Sequence, residues 1–451
     1  MNTTDDFSKA GWGGHALLGR IAAEGLSEEF WKVVQPPLTA ELLGRDYFAK
    51  APEIRSPADL LGFLCAINDL VYFPQCRPYA TLPDGHWIPH TPPDANWQSA
   101  PGSGQAYSRK ASQDILQLLF NRTIESVQAG DWVVFAHHAG ALAHYAQEPF
   151  TPGHAVDNAL FHELFPDPDP GRHLRLHHFF DCASGGYPPP HPQLLGTSPA
   201  EAAWRTVLRV DQGIRSGKGL IAPVIASAYA GEGVEEQAAL LRGQSQMACQ
   251  LTADLWHTVL CLGLGKFDPA EVESLRTLPL TGLIPSFWHA WQYVEPTPGC
   301  FVEKQRKVPL WICGENGEER VTDGFAVGGH MGVKYFVDGD VAGRFRCRVA
   351  LPSRHHEGQL PQMQTTFSVE TDVRENQTYS EEMLYGAESR FSCQITPKMK
   401  PVEVDVSLAG AKTLILVTRS RPVPDPETEL PRFYIPHLAI CEPRMERATN
   451  P

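Results

Sequence analysis

Half of the chain's 18 histidines fall between His137 and His191, with carboxylates spaced among them. His144 and Glu148 are four residues apart, and His154 follows six residues later. His177 and Asp181 repeat the four-residue step. Four residues is about one helical turn, so each pair can project from one face of a helix. Imidazole nitrogen and carboxylate oxygen together suit zinc and similar divalent cations. Zinc lowers the pKa of a water it binds, and two or three close cations can stabilise both the attacking and the leaving oxygen of a phosphoryl transfer. The residue types therefore point to a metal site, with metal-assisted hydrolysis as its chemistry.

Such ligands need rigid elements to hold them. From Gly14 to about Lys266 the periodic segments read as helices. HALLGRIAAEGL, SQDILQLLFNRTIESV and WVVFAHHAGALAHYAQ each place apolar residues at three- and four-residue steps. In SPAEAAWRTVL, Ser198 is placed as an N-cap with Glu201 three residues on, a capping-box pattern. GVEEQAALLRGQSQMACQLTADLWHTVLCLGL can form one long helix or two broken ones. Pro-rich stretches such as HWIPHTPPD, PFTPGH and FPDPDPG separate these segments and read as ordered connectors. Beyond about Gly299 the pattern changes to short alternating runs. VKYFV, GRFRCRVAL, TTFSVET, RFSCQI, VEVDVSL and KTLILVT read as strands, and several in succession predict a β-sandwich.

The chain of 451 residues is too long for one ordinary core, so two or three domains are expected. Its formal charge of -14 argues against broad electrostatic binding to duplex nucleic acid or anionic membranes. No apolar run reaches membrane-spanning length. The ten residues MNTTDDFSKA hold no apolar core of a signal peptide. The ten cysteines are scattered without a Cys-x-x-Cys pair, which reads as buried free thiols. SGKG at Ser216 to Gly219 lacks the upstream glycine of a phosphate-binding loop and reads as a turn.

HYAQEPFTPGH and LHHFFD resemble the two ligand-bearing motifs of zinc-dependent phospholipase C and the fungal single-strand-specific zinc nucleases. WGGHALLGRIA resembles the mature N-terminus of that family. KAPEIRSP and GHWIPHTPP resemble its segments for an early acidic ligand and a further histidine. The resemblance covers roughly residues 12 to 265 and implies an all-α helical domain holding two or three zinc ions. By that resemblance Glu53, His86 and His144 hold one zinc. Glu148 bridges it to a second, which His15 also binds, and His154, His177 and Asp181 hold the third. Glu53 is the implied general base. His90, His138 and His178 are neighbours, either donors behind the ligands or alternative ligands.

The chain departs from the family at three positions. Asp stands in the family where this chain has Glu148, and usually where it has Glu53. The extra methylene requires the backbone to retreat or the ion pair to shift. In the family the mature chain begins at the tryptophan that matches Trp12, whose free amine and carbonyl bind zinc. Eleven residues precede Trp12 here, leaving that zinc position weak, empty or completed by another group.

GGHMGVKYFVDGDVAGRFRCRVAL, TTFSVETD, VEVDVSLAGAKTLILVT and IPHLAICEPRM resemble a novel carbohydrate-binding module family, in the same order. That resemblance spans roughly residues 296 to 445 and implies an all-β, galactose-binding-like jelly-roll sandwich. His330, Tyr335 and Phe336 lie in its strand-and-turn regions without an assigned sugar contact.

The expected organisation is a zinc phospholipase C-like helical domain over 12–265, a connecting segment over 266–295 and the sandwich over 296–445. The expected function is zinc-dependent phosphodiester hydrolysis of a phospholipid or a single-stranded nucleic acid, with glycan binding through the sandwich. The alternative is a non-catalytic glycan- or surface-binding protein with a degenerate zinc domain. The family resemblance favours a secreted or periplasmic protein, whereas the chain shows no signal peptide.

Overall fold

The computed structural model describes residues 13–34, 56–70, 109–152, 163, 165, 185–283, 285, 287–289, 296–303, 306–328, 331–354, 364–373, 386–396, 399–421 and 437–448. The chain divides into two compact units, Met1–Glu273 and Ser274–Pro451. The first is helical and the second is built of antiparallel sheets. Among the described residues, no helix is long and apolar enough to cross a membrane.

The helical unit carries α1 (Gly13–Glu24), α2 (Pro57–Leu70), α3 (Arg109–Ala129), α4 (Trp132–Gln147), α5 (Pro199–Lys218), α6 (Ile221–Tyr229), α7 (Val234–Leu240), α8 (Arg242–Leu264) and α9 (Pro269–Ser274). A 3-10 turn, Glu148–Phe150, follows α4 directly. The sequence of α4 is apolar almost all round, and the helix is accordingly buried along its length. Its first turn is capped by Asp131, whose carboxylate accepts the Val134 N–H at 3.0 Å. Trp204, Trp256, Phe120, Phe135 and Tyr145 supply the largest buried side chains of this unit.

Close helix crossings depend on missing side chains. A Cβ on Gly140 of α4 would lie 2.6 Å from the Leu64 carbonyl oxygen of α2. A Cβ on Gly62 of α2 would lie 2.6 Å from the Ala16 carbonyl oxygen of α1. The three helices that frame the candidate site thus approach at backbone distance, which only glycine permits.

Ser198 caps α5 as its spacing predicts, with Oγ accepting the Glu201 N–H at 3.2 Å. The reciprocal bond differs from the simple capping box: Glu201 Oε2 accepts the N–H of Thr197, one residue before the cap, at 3.0 Å. The segment after Gly233 forms two helices, broken at Leu241, where the backbone leaves helical geometry at φ -88° and ψ 4°.

The second unit carries β1 (Thr277–Pro279), β2 (Phe287–His289), β3 (Cys300–Glu303), β4 (Arg306–Pro309), β5 (Trp311–Gly314), β6 (Gly317–Arg320), β7 (Gly324–Gly328), β8 (Met331–Phe336), β9 (Arg344–Ala350), β10 (Gln364–Val373), β11 (Gly386–Ile395), β12 (Val402–Ser407), β13 (Thr413–Arg421) and β14 (His437–Glu446). One sheet runs β1-β14-β9-β12 with β7 also on β14, and the other runs β11-β10-β13-β8-β2. Two further hairpins, β3-β4 and β5-β6, lie outside the strand runs predicted from the sequence. Within 266–295, β1 pairs with β14 and β2 with β8.

The strand alternation is visible in β12, where Val404 and Val406 are buried and Asp405 faces outward. Arg344, Arg346 and Arg348 stand at alternate positions of β9 and meet Asp405, Glu446, Glu319 and Glu442. Tyr335 and Phe336 are both buried, so they serve the core of the sheet rather than an open sugar platform.

Candidate metal centre

Three of the residues singled out in the sequence converge. His15 on α1, His144 on α4 and Glu148 in the 3-10 turn each offer one ligand atom, all within 4.8 Å of one another. His15 Nε2 lies 3.1 Å from Glu148 Oε2, and His144 Nε2 lies 4.0 Å from the same oxygen. The two imidazole rings stand 4.4 Å apart between centroids at 40°. His144 is buried, and the side chains of His15 and Glu148 are only 13% and 18% exposed.

The far side of each ring is anchored. His144 Nδ1 donates to the Cys65 carbonyl of α2 at 2.8 Å. His15 Nδ1 lies 2.8 Å from Gln147 Oε1. The amide of Gln147 is itself oriented, its Nε2 donating to Thr252 Oγ of α8 at 2.8 Å while Thr252 donates to the Ala248 carbonyl at 2.9 Å. Gln147 therefore presents an acceptor to His15, so Nδ1 of each ring is a donor and Nε2 is the nitrogen turned toward Glu148. This is how ligating histidines are held in metal sites, with a backbone or side-chain oxygen on the non-ligating nitrogen. Two imidazole nitrogens and a carboxylate oxygen fit zinc.

The local chain explains the placement of Glu148. Residue four after His144 would fall one helical turn on. Pro149 follows Glu148 and lies at the start of the 3-10 turn. That turn is fastened from α8, where Gln244 Nε2 donates to the carbonyls of Phe150 at 3.1 Å and Gly213 at 2.8 Å. Phe150 packs on the bare Cα of Gly213, where a Cβ would meet its ring at 2.4 Å. Trp256 Nε1 donates to the Ala139 carbonyl at 3.0 Å, tying α8 to α4 in the turn before the site.

Glu53, His86, His154, His177 and Asp181 lie outside the described residues, as do Trp12, His90, His178 and His330. His138 is buried on α4 and is not among the converging donors. His137 bonds back along its own helix, its Nδ1 2.8 Å from the Val133 carbonyl. Cys65 meets the site through its carbonyl, while its thiol donates to the Leu61 carbonyl at 3.2 Å. Gln147 was not singled out from sequence. Its signal was its position, directly before the carboxylate of the His144–Glu148 pair.

No family model matches this chain, and no curated protein matches it. Solved structures give distant likenesses. The alpha toxin from Clostridium absonum is 9% identical over 98% of this chain and 95% of that one, with a TM-score of 0.28. The CBM51 from Clostridium perfringens GH95, in complex with methyl-galactose, is 18% identical over 38% of this chain and 99% of that one, with a TM-score of 0.27. The CBM51-2 and INT domains from Clostridium perfringens ZmpB are 10% identical over 38% of this chain, which spans only 31% of that one, with a TM-score of 0.28. TM-scores of this size do not establish a shared fold, so the chain is placed by its own architecture: a helical unit that brings His15, His144 and Glu148 together, followed by a β unit.

Proposed function

We propose that the chain is a zinc-dependent phosphodiester hydrolase, of phospholipase C or single-strand nuclease type, carrying a carbohydrate-binding module. The observation that supports it best is the convergence of His15, His144 and Glu148, with both imidazoles anchored at Nδ1. Zinc held there supplies Lewis-acid stabilisation of charge on phosphoryl oxygens. His15 and His144 contribute neutral nitrogen donors. Glu148 would contribute negative charge and an oxygen ligand beside the two imidazoles. The burial of His144 and the partial burial of His15 and Glu148 would strengthen their electrostatic hold on a cation and its phosphate. Glu53, His86, His154, His177 and Asp181 complete the proposed ligand set, with Glu53 as the general base.

The test measures zinc content and hydrolysis together on the full chain. Zinc-reconstituted protein is expected to hold at least two ions and to cleave phosphatidylcholine or single-stranded DNA or RNA. Glu148→Ala is expected to lose the zinc of this centre and activity, whereas Glu53→Gln is expected to keep zinc and lose turnover. Zinc uptake without cleavage of any of the three substrates would leave the non-catalytic surface-binding reading. A folded protein that takes up no zinc overturns the proposal. For the β unit, the full chain is expected to bind at least one ligand on a glycan array, and an empty array removes the carbohydrate-binding assignment.

A further inference from the structure

The helical unit holds a second group of metal-ligating side chains that the proposed hydrolytic centre does not use. His257 and Cys261 stand one turn apart near the C-terminal end of α8. Glu271 reaches back to them from α9. His257 Nε2 lies 3.1 Å from both Glu271 oxygens, and Cys261 Sγ lies 3.6 Å from the same Nε2. One ligand atom from each of the three residues falls within 4.8 Å of the others.

From this geometry we infer a second zinc site, a clip that fastens α9 to α8. Zinc binds nitrogen and oxygen at about 2.0–2.2 Å and sulfur at about 2.3 Å in tetrahedral array. Those bond lengths set ligand atoms roughly 3.4 Å apart for nitrogen and oxygen and roughly 3.6 Å apart for nitrogen and sulfur. The separations of 3.1 Å and 3.6 Å are close to that spacing, the first slightly shorter and the second matching it. A hydrogen bond between His257 and Glu271 would by itself join the helices and would need no thiol. The thiol on the same ring nitrogen is what coordination adds.

Three further features favour a cation there. The last turn of α8 carries no basic residue, so the negative end of the helix has no side-chain counter-charge of its own. The Leu194 N–H donates to Glu271 Oε1 at 3.2 Å, which fixes the carboxylate in place. The side chains of His257 and Glu271 are 25% and 26% exposed, so an ion held by them would be within reach of solvent. A nitrogen, sulfur and oxygen set selects zinc over calcium or magnesium, which take oxygen ligands. On binding, the thiol proton leaves to solvent and the sulfur coordinates as thiolate.

The test uses the full chain, stripped with a chelator and reloaded with cobalt. Wild type is expected to show a near-ultraviolet thiolate-to-cobalt charge-transfer band. Cys261→Ser is expected to lose that band and one equivalent of zinc while keeping its circular dichroism spectrum. Glu148→Ala removes a ligand of the first centre and is expected to retain the band, which separates the two sites. Alkylation of Cys261 in wild type, followed on its peptide by mass spectrometry, is expected to be suppressed by zinc. This arm needs no variant to fold. A missing band, a band that survives Cys261→Ser, or alkylation indifferent to zinc overturns the inference.

Discussion

His15 Nδ1 donates to Oε1 of Gln147 at 2.8 Å, joining residues 132 positions apart in the chain. That bond decides which nitrogen of His15 is available to a metal. The histidine comes from the first described helix, whereas its orienting amide sits directly before Glu148 on another. Binding geometry and helix packing are therefore one interaction network, and perturbing either should disturb the other.

Gln147→Ala removes the acceptor that holds the His15 tautomer. Outer partners of this kind typically contribute about 10- to 100-fold in metal affinity. Zinc affinity, measured by competition with a chromophoric chelator, is expected to fall by about that factor with the fold retained. An unchanged affinity would show that His15 is not held as a ligand.

Gly140→Ala tests the helix crossing beneath the site. Its Cβ would meet the Leu64 carbonyl at 2.6 Å, so α2 and α4 must separate. Overpacking of this kind costs about 1–3 kcal/mol. The same shift moves the Cys65 carbonyl that anchors His144. Urea unfolding should report the lost stability, and zinc affinity should fall in parallel.

Arg109→Ala tests a buried charge pair in the helical unit. Arg109 Nε meets Asp211 Oδ2 at 2.6 Å, with the carboxylate buried on α5. Burial raises the Asp211 pKa, and Arg109 opposes that rise. Removing the guanidinium alone is expected to cost up to about 3–5 kcal/mol, because the buried carboxylate loses its ion-pair partner while the charge of Lys218 still acts on it. Adding Asp211→Asn should recover part of the loss. A double variant no more stable than Arg109→Ala would exclude charge burial as the cause.

Asp254 of α8 gives a pH dependence with a defined sign. Burial pushes its carboxyl up to about 6, against lowering by the Gln193 N–H, Gln250, Arg209 and His257. The unfolded value is about 3.9, so the folded state binds this proton more tightly. The stabilisation is complete below about 3.9 and is lost as pH rises through about 6. Two pKa units correspond to roughly 3 kcal/mol. Asp254→Asn keeps an oxygen for Gln193 and Gln250 but cannot ionise. The stability of the variant relative to wild type should therefore rise by roughly that amount between about pH 4 and pH 7. Denaturant titrations at both ends check this, and a difference constant with pH refutes it.

Local sequence determined the helical unit and the strand runs, because their apolar periodicities are short-range properties. It also set His144 and Glu148 one turn apart and placed Ser198 as the cap of α5. The same local logic put His257 and Cys261 on one face of α8, although the scattered cysteines read only as buried thiols. What tertiary structure decided was which distant residues join these pairs. His15 reaches Glu148, and Glu271 reaches His257, only because whole helices pack together. The close approach of α1, α2 and α4 rests on glycines whose role is invisible until the partner backbone is in place. Gln147 likewise gains its function from His15 on one side and Thr252 on the other. Spacing along a chain fixes neighbours within a turn, whereas the completion of a metal site depends on packing between helices.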